Sequence, residues 1–179
     1  NSDDRTIIGR TVPKHFGGFT NNFTYKNFDL SVLTSWSYGN DVYNKNLVRG
    51  TNQQIPFFNK YGSIRDRWTP DNPNTNVASV FGYADAGISG NAYSSYIEDG
   101  SFFRLSNITL GYKLPQKLIK NIGIKSFRLY AAADNIFVWT KYSGYDPDVN
   151  VGTNQLTPGL DTDSYPRART FRIGLNVGF

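Results

Sequence analysis

Hydrophobic and polar residues alternate along five segments of the chain, a pattern typical of β-strands with one apolar face. The clearest case is the last ten residues, TFRIGLNVGF, in which every second side chain from Phe171 to Phe179 is apolar. Residues 15–25 and the stretch FDLSVLTSWSY at 28–38 alternate in the same way. The same pattern predicts two further strands at about 101–114 and 127–139.

The first two strands are joined by residues 26–27, a connection short enough for a β-hairpin. A hairpin closed at this point pairs Tyr25 with Phe28 and Phe23 with Leu30. Because both apolar faces then coincide, the pattern predicts the register as well as the strands.

The third and fourth strands are less regular. In the third strand, Arg104 and Ser106 are in phase with the apolar side chains at positions 108, 110, 112 and 114, so we expect all of them on one face. In the fourth strand, Asn135 falls among the apolar positions, and a β-bulge near Asp134 and Asn135 would explain it.

The connections between strands alternate in length: two residues, about sixty (39–100), about twelve (115–126) and about twenty-seven (140–166). Short turns at one end and long loops at the other are the rule in outer-membrane β-barrels, whereas a soluble β-sandwich seldom needs such a long loop. We therefore expect residues 1–13 to be an extracellular loop segment and residues 14–179 to be barrel strands and loops. The long loops are then extracellular and the C-terminus periplasmic.

Strand length and aromatic placement also fit a membrane. A tilted membrane strand needs about 9–11 residues, and the strand at 28–38 has eleven. Aromatic residues occupy the strand ends, where barrels carry girdles at both membrane interfaces. The predicted periplasmic girdle contains Tyr25, Phe28, Tyr112, Phe127 and Phe179, and the predicted outer girdle contains Trp36, Tyr38 and Trp139.

Five strands cannot close a barrel, because the smallest such barrels have eight, and an open edge in lipid costs several kcal/mol per unpaired group. The sequence also shows no signal peptide and no initiator Met. We therefore expect an all-β piece of a longer polypeptide in which other strands complete the barrel.

Composition excludes several classes of protein. Aromatic residues make up 16% of the chain and charged residues only 18%, against a usual ~25%. The absence of Cys removes disulfides, thiol catalysis and cysteine-ligated metals. The net charge of +5 is spread without the basic runs of nucleic-acid-binding proteins, and no apolar stretch approaches the ~18 residues of a membrane helix.

Catalytic and metal-binding signatures are weak. His15 is the only histidine, and neither a Gly-x-Ser-x-Gly elbow nor a zinc motif is present, so we predict no enzyme and no cofactor. The sequence does not exclude a glycosidase-like pair of carboxylates in the loops, although the general polarity of loops explains these residues better. Asp146 with Asp148 and Asp161 with Asp163 offer oxygen ligands for Ca²⁺, but they lack the count and spacing of a calcium loop. We predict that these aspartates form turns and bind no metal.

Four stretches closely resemble the C-terminal end of the SusC/RagA family of TonB-dependent outer-membrane transporters, which import glycans or peptides. They are RWTPDNPNT, YIEDGSFFRLSNITLGYKLP, RLYAAADNIFVWTKYSGYDPDV and YPRARTFRIGLNVGF. The resemblance implies the last five strands of a 22-stranded, plugged barrel. It also implies a SusD-like surface lipoprotein as a lid, and the TonB complex acting on a plug and TonB box that are absent from this sequence.

The end of the chain resembles the C-terminal signal by which outer-membrane barrels reach their insertion machinery. That signal needs an exposed apolar edge strand, which a neighbouring edge can capture by β-augmentation. An ordinary amphipathic strand is the alternative. The residues that carry the predicted signal are Arg172, Gly174, Val177 and Phe179.

The loop at 39–100 is rich in aromatic and planar side chains, which suit sugar rings and their hydroxyl groups. The same side chains also pack loops against each other or against a lid. The candidates for ligand or lid contact are Arg67, Trp68, Tyr83, Tyr93 and Tyr96.

The predicted function is nutrient import across the bacterial outer membrane, as the C-terminal barrel segment of a SusC-like transporter. The expected partners are the rest of the barrel and its plug, a SusD-like lipoprotein, the TonB complex, outer-membrane lipid and a glycan or peptide substrate. One alternative is a soluble carbohydrate-binding β-sandwich, whose apolar faces would pack on each other. Another is a structural barrel without a transport role. The sequence does not distinguish a glycan from a peptide substrate.

Overall fold

The structure, a computed structural model, describes residues 5–51, 59–77, 79, 93–149 and 158–179. Two compact units are present and are described separately. The loop unit consists of Asn1–Pro13, Gly39–Gly100 and Lys141–Tyr165, and the sheet unit consists of Lys14–Tyr38, Ser101–Thr140 and Pro166–Phe179. Within the described ranges, no helix has the length and apolar character required to cross a membrane.

The strands, numbered along the chain, are β1 (His15–Tyr25), β2 (Phe28–Tyr38), β3 (Asp41–Asn44), β4 (Ile97–Asp99), β5 (Phe102–Lys113), β6 (Ser126–Thr140), β7 (Leu160–Asp161) and β8 (Thr170–Gly178). The α-helices are α1 (Lys45–Thr51) and α2 (Gln116–Ile119). Single 3-10 turns occupy Gly62–Asp66, Ser94–Tyr96 and Lys120–Ile122.

The sheet unit is one antiparallel sheet of five strands in the order β1-β2-β5-β6-β8. These are the five strands that the alternating pattern predicts. The bounds of β1 and β2 are as predicted, β5 and β6 differ by one residue at each end, and β8 ends one residue earlier. The lengths of the connections between these five strands are confirmed too.

The hairpin between β1 and β2 confirms the predicted register. Tyr25 pairs with Phe28, and Phe23 pairs with Leu30. Lys26 has a φ of 53°, in the left-handed region that tight hairpin turns use. The turn chemistry and the apolar pattern therefore agree on the same register.

The predicted bulge in β6 is confirmed. Between β5 and β6 the register shifts, because three steps from Asp134 to Phe137 oppose two steps from Asn107 to Leu105. Asn135 lies in this bulge with a φ of 51°. Phe137 and Trp139 therefore lie on the apolar face.

A second bulge, in β5, makes one prediction wrong. One step on β2, from Leu33 to Thr34, opposes two steps on β5, so Ser106 is an extra residue. The Ser106 hydroxyl lies 2.9 Å from the hydroxyl of Ser35, on the polar face, and Arg104 pairs with Ser35 in the ladder. Ser106 and Arg104 are therefore on the opposite face from Ile108, because the bulge reverses the alternation.

The loop unit contains short elements that the sequence does not predict. A three-stranded sheet in the order β4-β3-β7 has β3 antiparallel to β4 and parallel to β7. Among the described residues of this unit, buried apolar side chains form two small clusters, which comprise Val42, Tyr142 and Val149 in the first and Val48 and Tyr96 in the second. Strands of two to four residues are too short to show a period of two.

Backbone hydrogen bonds at β3 join three distant segments of the loop unit. The N–H of Asp41 donates to the carbonyl of Arg10 at 2.6 Å, and the N–H of Arg10 donates to Asp41 Oδ2 at 2.7 Å. The N–H of Tyr43 donates to the carbonyl of Gly159, whose φ is 75°. A residue that precedes β1 and a residue that follows β6 therefore both form hydrogen bonds with β3.

Candidate functional site: a two-faced sheet and a folded loop unit

The register of the sheet unit aligns its aromatic side chains in two rows. Near one end of the sheet, Trp36 pairs with Phe103 across the ladder, and Phe103 pairs with Trp139, with the two rings 5.7 Å apart. Near the other end, Phe28 pairs with Tyr112, and their ring centroids are 4.7 Å apart. Each row therefore crosses at least two neighbouring strand pairs.

The spacing of the rows matches a bilayer. Phe28 and Trp36 are eight residues apart on β2, which is about 27 Å along an antiparallel strand. A strand tilt of about 40° reduces this to about 20 Å, close to the ~25 Å apolar band of outer-membrane barrels.

Seven of the eight predicted girdle residues lie at or near the ends of strands, and the eighth, Phe179, directly follows β8. Tyr25, Phe28, Tyr112 and Phe127 are at the end with the two-residue turn, and Trp36, Tyr38 and Trp139 are at the opposite end. Their contact with a membrane interface stays a prediction.

The row that contains Trp36 also includes the single histidine. The indole Nε1 of Trp36 donates to His15 Nδ1 at 3.1 Å, and the His15 ring stacks on Tyr38 at 5.0 Å. A Cβ on Gly17 would lie 2.8 Å from the Trp36 ring, so this glycine makes room for the indole. His15 is thus part of an aromatic cluster.

The apolar face of the sheet unit is exposed. On β8 the exposed fraction reaches 77% for Phe171 and 83% for Ile173. Soluble monomers rarely expose contiguous apolar patches larger than a few hundred Å². The exposed apolar residues in the strands of this face include Phe19, Phe23, Leu110, Leu129, Phe137 and Leu175.

The polar face is held together by an ion pair that spans three strands. Arg128 on β6 donates to both carboxylate oxygens of Asp29 on β2, at 2.9 and 2.5 Å. The pair passes over Gly111 on β5, where a Cβ would lie 2.4 Å from Arg128 and 2.5 Å from Asp29. The glycine in the middle strand therefore permits the bridge.

A second polar network connects β5, β6 and β8. The amide of Asn107 donates to Asp134 at 2.6 Å, and Arg172 forms an ion pair with the same carboxylate at 2.6 Å. Thr109 donates to the Asn107 side chain at 3.0 Å. Asp134 therefore links the two strands on either side of it.

Two residues of the predicted assembly signal have structural partners on β6. Arg172 pairs with Asp134, and a Cβ on Gly174 would lie 2.5 Å from the Tyr130 ring. Val177 pairs with Phe127 in the ladder, and Phe179 is exposed. The role of these four residues in assembly stays a prediction.

A buried hydrogen bond lies at the centre of the loop unit. The Tyr142 hydroxyl donates to Asp161 Oδ2 at 2.5 Å, and both residues are buried. Burial and the adjacent Asp161 carboxylate raise the pKa of Tyr142 far above its ordinary value. The backbone N–H of Ser164 donates to the other oxygen of Asp161 at 3.1 Å, so the carboxylate is bonded on both sides.

Glu98 joins another three segments of the loop unit. It accepts hydrogen bonds from the Asn44 amide at 2.9 Å, and from the backbone N–H and the hydroxyl of Ser143 at 2.7 and 2.8 Å. Asn44 also accepts from the N–H of Leu47, at the start of α1. Polar side chains that the sequence places in irregular loops thus form a connected network, which fixes the loop structure.

The motif RWTPDNPNT forms a compact turn that presents Trp68. The N–H of Asn72 donates to the Thr69 carbonyl at 2.9 Å, with Pro70 at a position that favours a type I turn. The N–H of Trp68 donates to the carbonyl of Val77 at 2.7 Å, and the Trp68 side chain is 44% exposed.

The other loop candidates lie in different surroundings. Arg67 is half-buried and Tyr93 is exposed. Tyr96 is only 3% exposed and packs with Val48, so the structure gives it a packing role. Tyr83 lies outside the described residues. Contact of these side chains with a ligand or lid stays a prediction.

The aspartates weighed as Ca²⁺ ligands make local hydrogen bonds. Asp146 accepts from the N–H of Asp148 at 2.9 Å, as in an Asx turn, and Asp163 has a φ of 60°. The Asp163 carboxylate pairs with Arg49. Where residues are described, no group of three or more His, Asp or Glu is arranged to hold a metal.

An antiparallel sheet with an exposed apolar face, a cross-linked polar face and two aligned aromatic rows defines a segment of a membrane β-barrel. The chain is similar to TonB-dependent receptor P26 of Formosa agariphila (34% identity over 182 residues), to receptor P3 of the same organism (36% over 181) and to TonB-dependent receptor SusC of Bacteroides thetaiotaomicron (35% over 185). These alignments cover 98–99% of this chain but only 16–18% of the relatives, so the chain spans about a sixth of their length.

Comparison with solved structures gives the same class of protein as the sequence relatives. The RagAB peptide importer in its open-open state matches with a TM-score of 0.77 and 27% identity, covering 94% of this chain and 17% of that chain. The closed-closed state gives a TM-score of 0.78. No protein-family model matches the chain. The chain is therefore homologous to one segment of SusC/RagA-type TonB-dependent receptors, and the resemblance seen in its motifs is confirmed.

Proposed function

We propose that these residues form part of the barrel wall and external loops of a TonB-dependent importer in the bacterial outer membrane. The observation that carries the proposal is the exposed apolar face of the sheet unit, bordered by two aromatic rows at about the spacing of a bilayer. Lipid would cover this face, and the polar face would line the interior.

The whole transporter would contain a barrel of the 22-stranded type and a plug. A SusD-like lipoprotein would close over its external side, and the TonB complex would supply energy through the plug. The substrate would be a glycan or a peptide that is too large for passive pores. The similarity to SusC and to the RagAB peptide importer supports this arrangement.

The exposed apolar face weighs against a soluble carbohydrate-binding β-sandwich. In a sandwich, the inward side chains of two sheets interdigitate and are buried. Here Ile173 and Phe171 are more than three-quarters exposed, and the side chains of the same face on β1 and β6 are exposed as well. The chain carries no catalytic constellation among its described residues, and its relatives are named as receptors and transporters.

The β8 strand supports a role in assembly. It pairs with β6 along one edge, and its apolar side chains Phe171, Ile173 and Leu175 are exposed. During assembly, the other edge of such a strand would be captured by a neighbouring strand through β-augmentation. We include Arg172, Gly174, Val177 and Phe179 as the assembly signal in this proposal.

Membrane placement is tested by single-cysteine labelling in the full-length protein, since these 179 residues contain no Cys. A membrane-impermeant maleimide should label Asp71→Cys, in the loop unit, on intact cells. It should label Asn121→Cys, between α2 and β6, only after the outer membrane is permeabilised. Leu110→Cys, on the apolar face, should resist labelling in both cases.

Either of two results would contradict the placement. Labelling of Leu110→Cys as fast as Asp71→Cys would show that the apolar face meets water and would favour the soluble alternative. Labelling of Asn121→Cys on intact cells would reverse the orientation. The matched control is Thr109→Cys on the polar face, which we expect to be labelled through the barrel interior.

Import itself needs a separate experiment. A strain lacking the gene is grown on mixtures of glycans and of peptides, and the compounds left in the medium are identified by mass spectrometry. We expect one class to persist and to be consumed again when the full-length protein is restored. Restoration in a strain without TonB would contradict active import and favour a passive barrel.

A further inference from the structure

Five lysines lie together at the end of the sheet unit that carries the short turns. Backbone hydrogen bonds fix this arrangement: the N–H of Lys113 donates to the carbonyl of Asn27 at 2.8 Å, and the N–H of Lys125 donates to that of Gly178 at 2.8 Å. The hairpin turn, the β5–β6 connection and the end of β8 therefore meet. We call the group the lysine collar; its members are Lys26, Lys113, Lys117, Lys120 and Lys125.

No acidic side chain is available to neutralise the collar. In the described strand ends and turns around it, the only acidic side chain is that of Asp29, which Arg128 already binds through two hydrogen bonds. All five lysines are exposed, and none forms an ion pair within the described residues. Twelve of the fourteen acidic residues belong to the loop unit instead.

The collar borders the aromatic row of the same end. Lys26 Nζ lies 5.3 Å from the centroid of the Tyr25 ring, and Tyr25 pairs with Phe28 in the row. On α2, the apolar Leu118 is 69% exposed beside Lys117. Aromatic rings next to lysine side chains are typical of the boundary between acyl chains and headgroups. There the aliphatic part of each lysine can lie along apolar surface while its ammonium group extends to the headgroups.

We propose that the lysine collar binds the phosphate groups of anionic glycerophospholipids, in the membrane leaflet at the short-turn end of the barrel. Ammonium groups pair with phosphate as point charges, and each lysine near an anionic surface adds attraction. One lysine lies on the hairpin turn and four lie between positions 113 and 125, an arrangement that suits several separate headgroups. The inference rests on the membrane placement proposed above.

The test uses the full-length protein in lipid nanodiscs or detergent. The variant Lys117→Gln/Lys120→Gln/Lys125→Gln removes three charges from the connection between β5 and β6. The matched control, Lys45→Gln/Arg65→Gln/Lys141→Gln, removes three charges from the loop unit. Phosphatidylglycerol binding is titrated by native mass spectrometry at low salt, with phosphatidylcholine as the zwitterionic comparison.

We expect the collar variant to bind phosphatidylglycerol about tenfold more weakly, and the control to differ by less than about twofold. The difference should shrink in 0.5 M salt, because surface charges are then screened within a few ångströms. Phosphatidylcholine binding should be the same for all three proteins.

Three results would overturn the inference. The collar variant could bind phosphatidylglycerol like the wild type, or it could lose both lipids equally. It could also keep lipid binding but lose a periplasmic protein from the purified complex, which would make the occupant an acidic protein. Labelling of Leu110→Cys in the same nanodiscs distinguishes failure of the two proposals. If this cysteine is labelled freely, the membrane placement is wrong and the lipid inference fails with it. If this cysteine is shielded, the membrane placement holds and the result of the lipid titration decides the lipid inference alone.

Discussion

The sheet unit and the loop unit differ in which side chains they bury. The sheet unit exposes its largest apolar side chains and keeps Arg104 buried, whereas the loop unit buries Val42 and Val48 as an ordinary small domain does. The two units also differ in their charged residues. The sheet unit holds eleven of the nineteen Lys and Arg residues and only two acidic residues, both of them in ion pairs.

The difference shows that one chain is built for two surroundings. In the sheet unit, cohesion comes from the hydrogen-bonded ladder and from side-chain bridges across strands, because apolar burial must come from outside. In the loop unit, cohesion comes from buried clusters and from a polar network around Glu98 and Asp161. The same substitution should therefore have different effects in the two units.

The largest expected effect comes from a charge on the apolar face. Val32→Arg places a guanidinium near the middle of β2, where its ladder partners are Ile108 and Asn21. At the bilayer midplane this costs about 2–4 kcal/mol. The free energy of unfolding of the full-length barrel in lipid vesicles measures it.

The neighbouring residue provides the control. Ser31→Arg, on the polar face, should cost under about 1 kcal/mol, because a lumen side chain keeps contact with water. Equal destabilisation by the two variants would mean that the faces are not distinguished by lipid, and the comparison between units would lose its basis.

Breaking the three-strand bridge should have the next largest effect. Asp29→Asn leaves Arg128 half-buried without its carboxylate and should destabilise the sheet unit by about 1–3 kcal/mol. The double variant Asp29→Asn/Arg128→Gln should recover part of this loss. Strict additivity of the two single changes would show that the bridge contributes no coupling.

A comparable effect is expected in the loop unit from Tyr142→Phe, which leaves Asp161 buried without its hydroxyl donor. We expect local opening to become easier by about 1–3 kcal/mol, measured by hydrogen exchange of β3 and β7 amides. Exchange in the five strands of the sheet unit should not change. A uniform rise in exchange across both units would show that the units are not independent.

The same tyrosine predicts a dependence on pH. Because the pKa of Tyr142 is raised by folding, its contribution to stability is complete below the ordinary tyrosine pKa of about 10 and is lost as the pH rises further. Protection of the loop unit should therefore fall above about pH 10 in the wild type, and Tyr142→Phe should flatten that decline.

The smallest effect is expected at the rim of the loop unit. Asp163 is largely exposed and pairs with Arg49, and such surface pairs contribute about 0–1 kcal/mol. Asp163→Asn retains the left-handed backbone preference and should change stability by less than about 0.5 kcal/mol. A loss above 1 kcal/mol would place this pair in the structural network of the unit.

Strand patterns were readable because each strand of the sheet unit has one apolar face over nine or more residues. The hairpin register followed from Tyr25 and Phe28, and the bulge at Asn135 followed from a polar residue in an apolar row. The bulge at Ser106 is also visible in the sequence. Phe103 and Leu105 are out of phase with Ile108, so the alternation of apolar and polar residues changes at this point.

The loop unit could not be predicted in the same way. Its strands have two to four residues, and its contacts join positions far apart, such as Asn44 with Glu98 and Tyr43 with Gly159. The lysine collar was obscured by an overall charge of only +5, since the acids that balance it belong to the other unit. Residues 113–125 alone contain four lysines and no acid, which was the available signal.

The buried cluster of Val42, Tyr142 and Val149 has a consequence for timing. Its members are separated by about a hundred residues, and β5 and β6 lie between them in the sequence. This cluster can therefore close only after those two strands have been made and their ends brought together. A chain that stalls earlier would keep Val42 uncovered, so burial of Val42 within the loop unit reports that β5 and β6 have already been made.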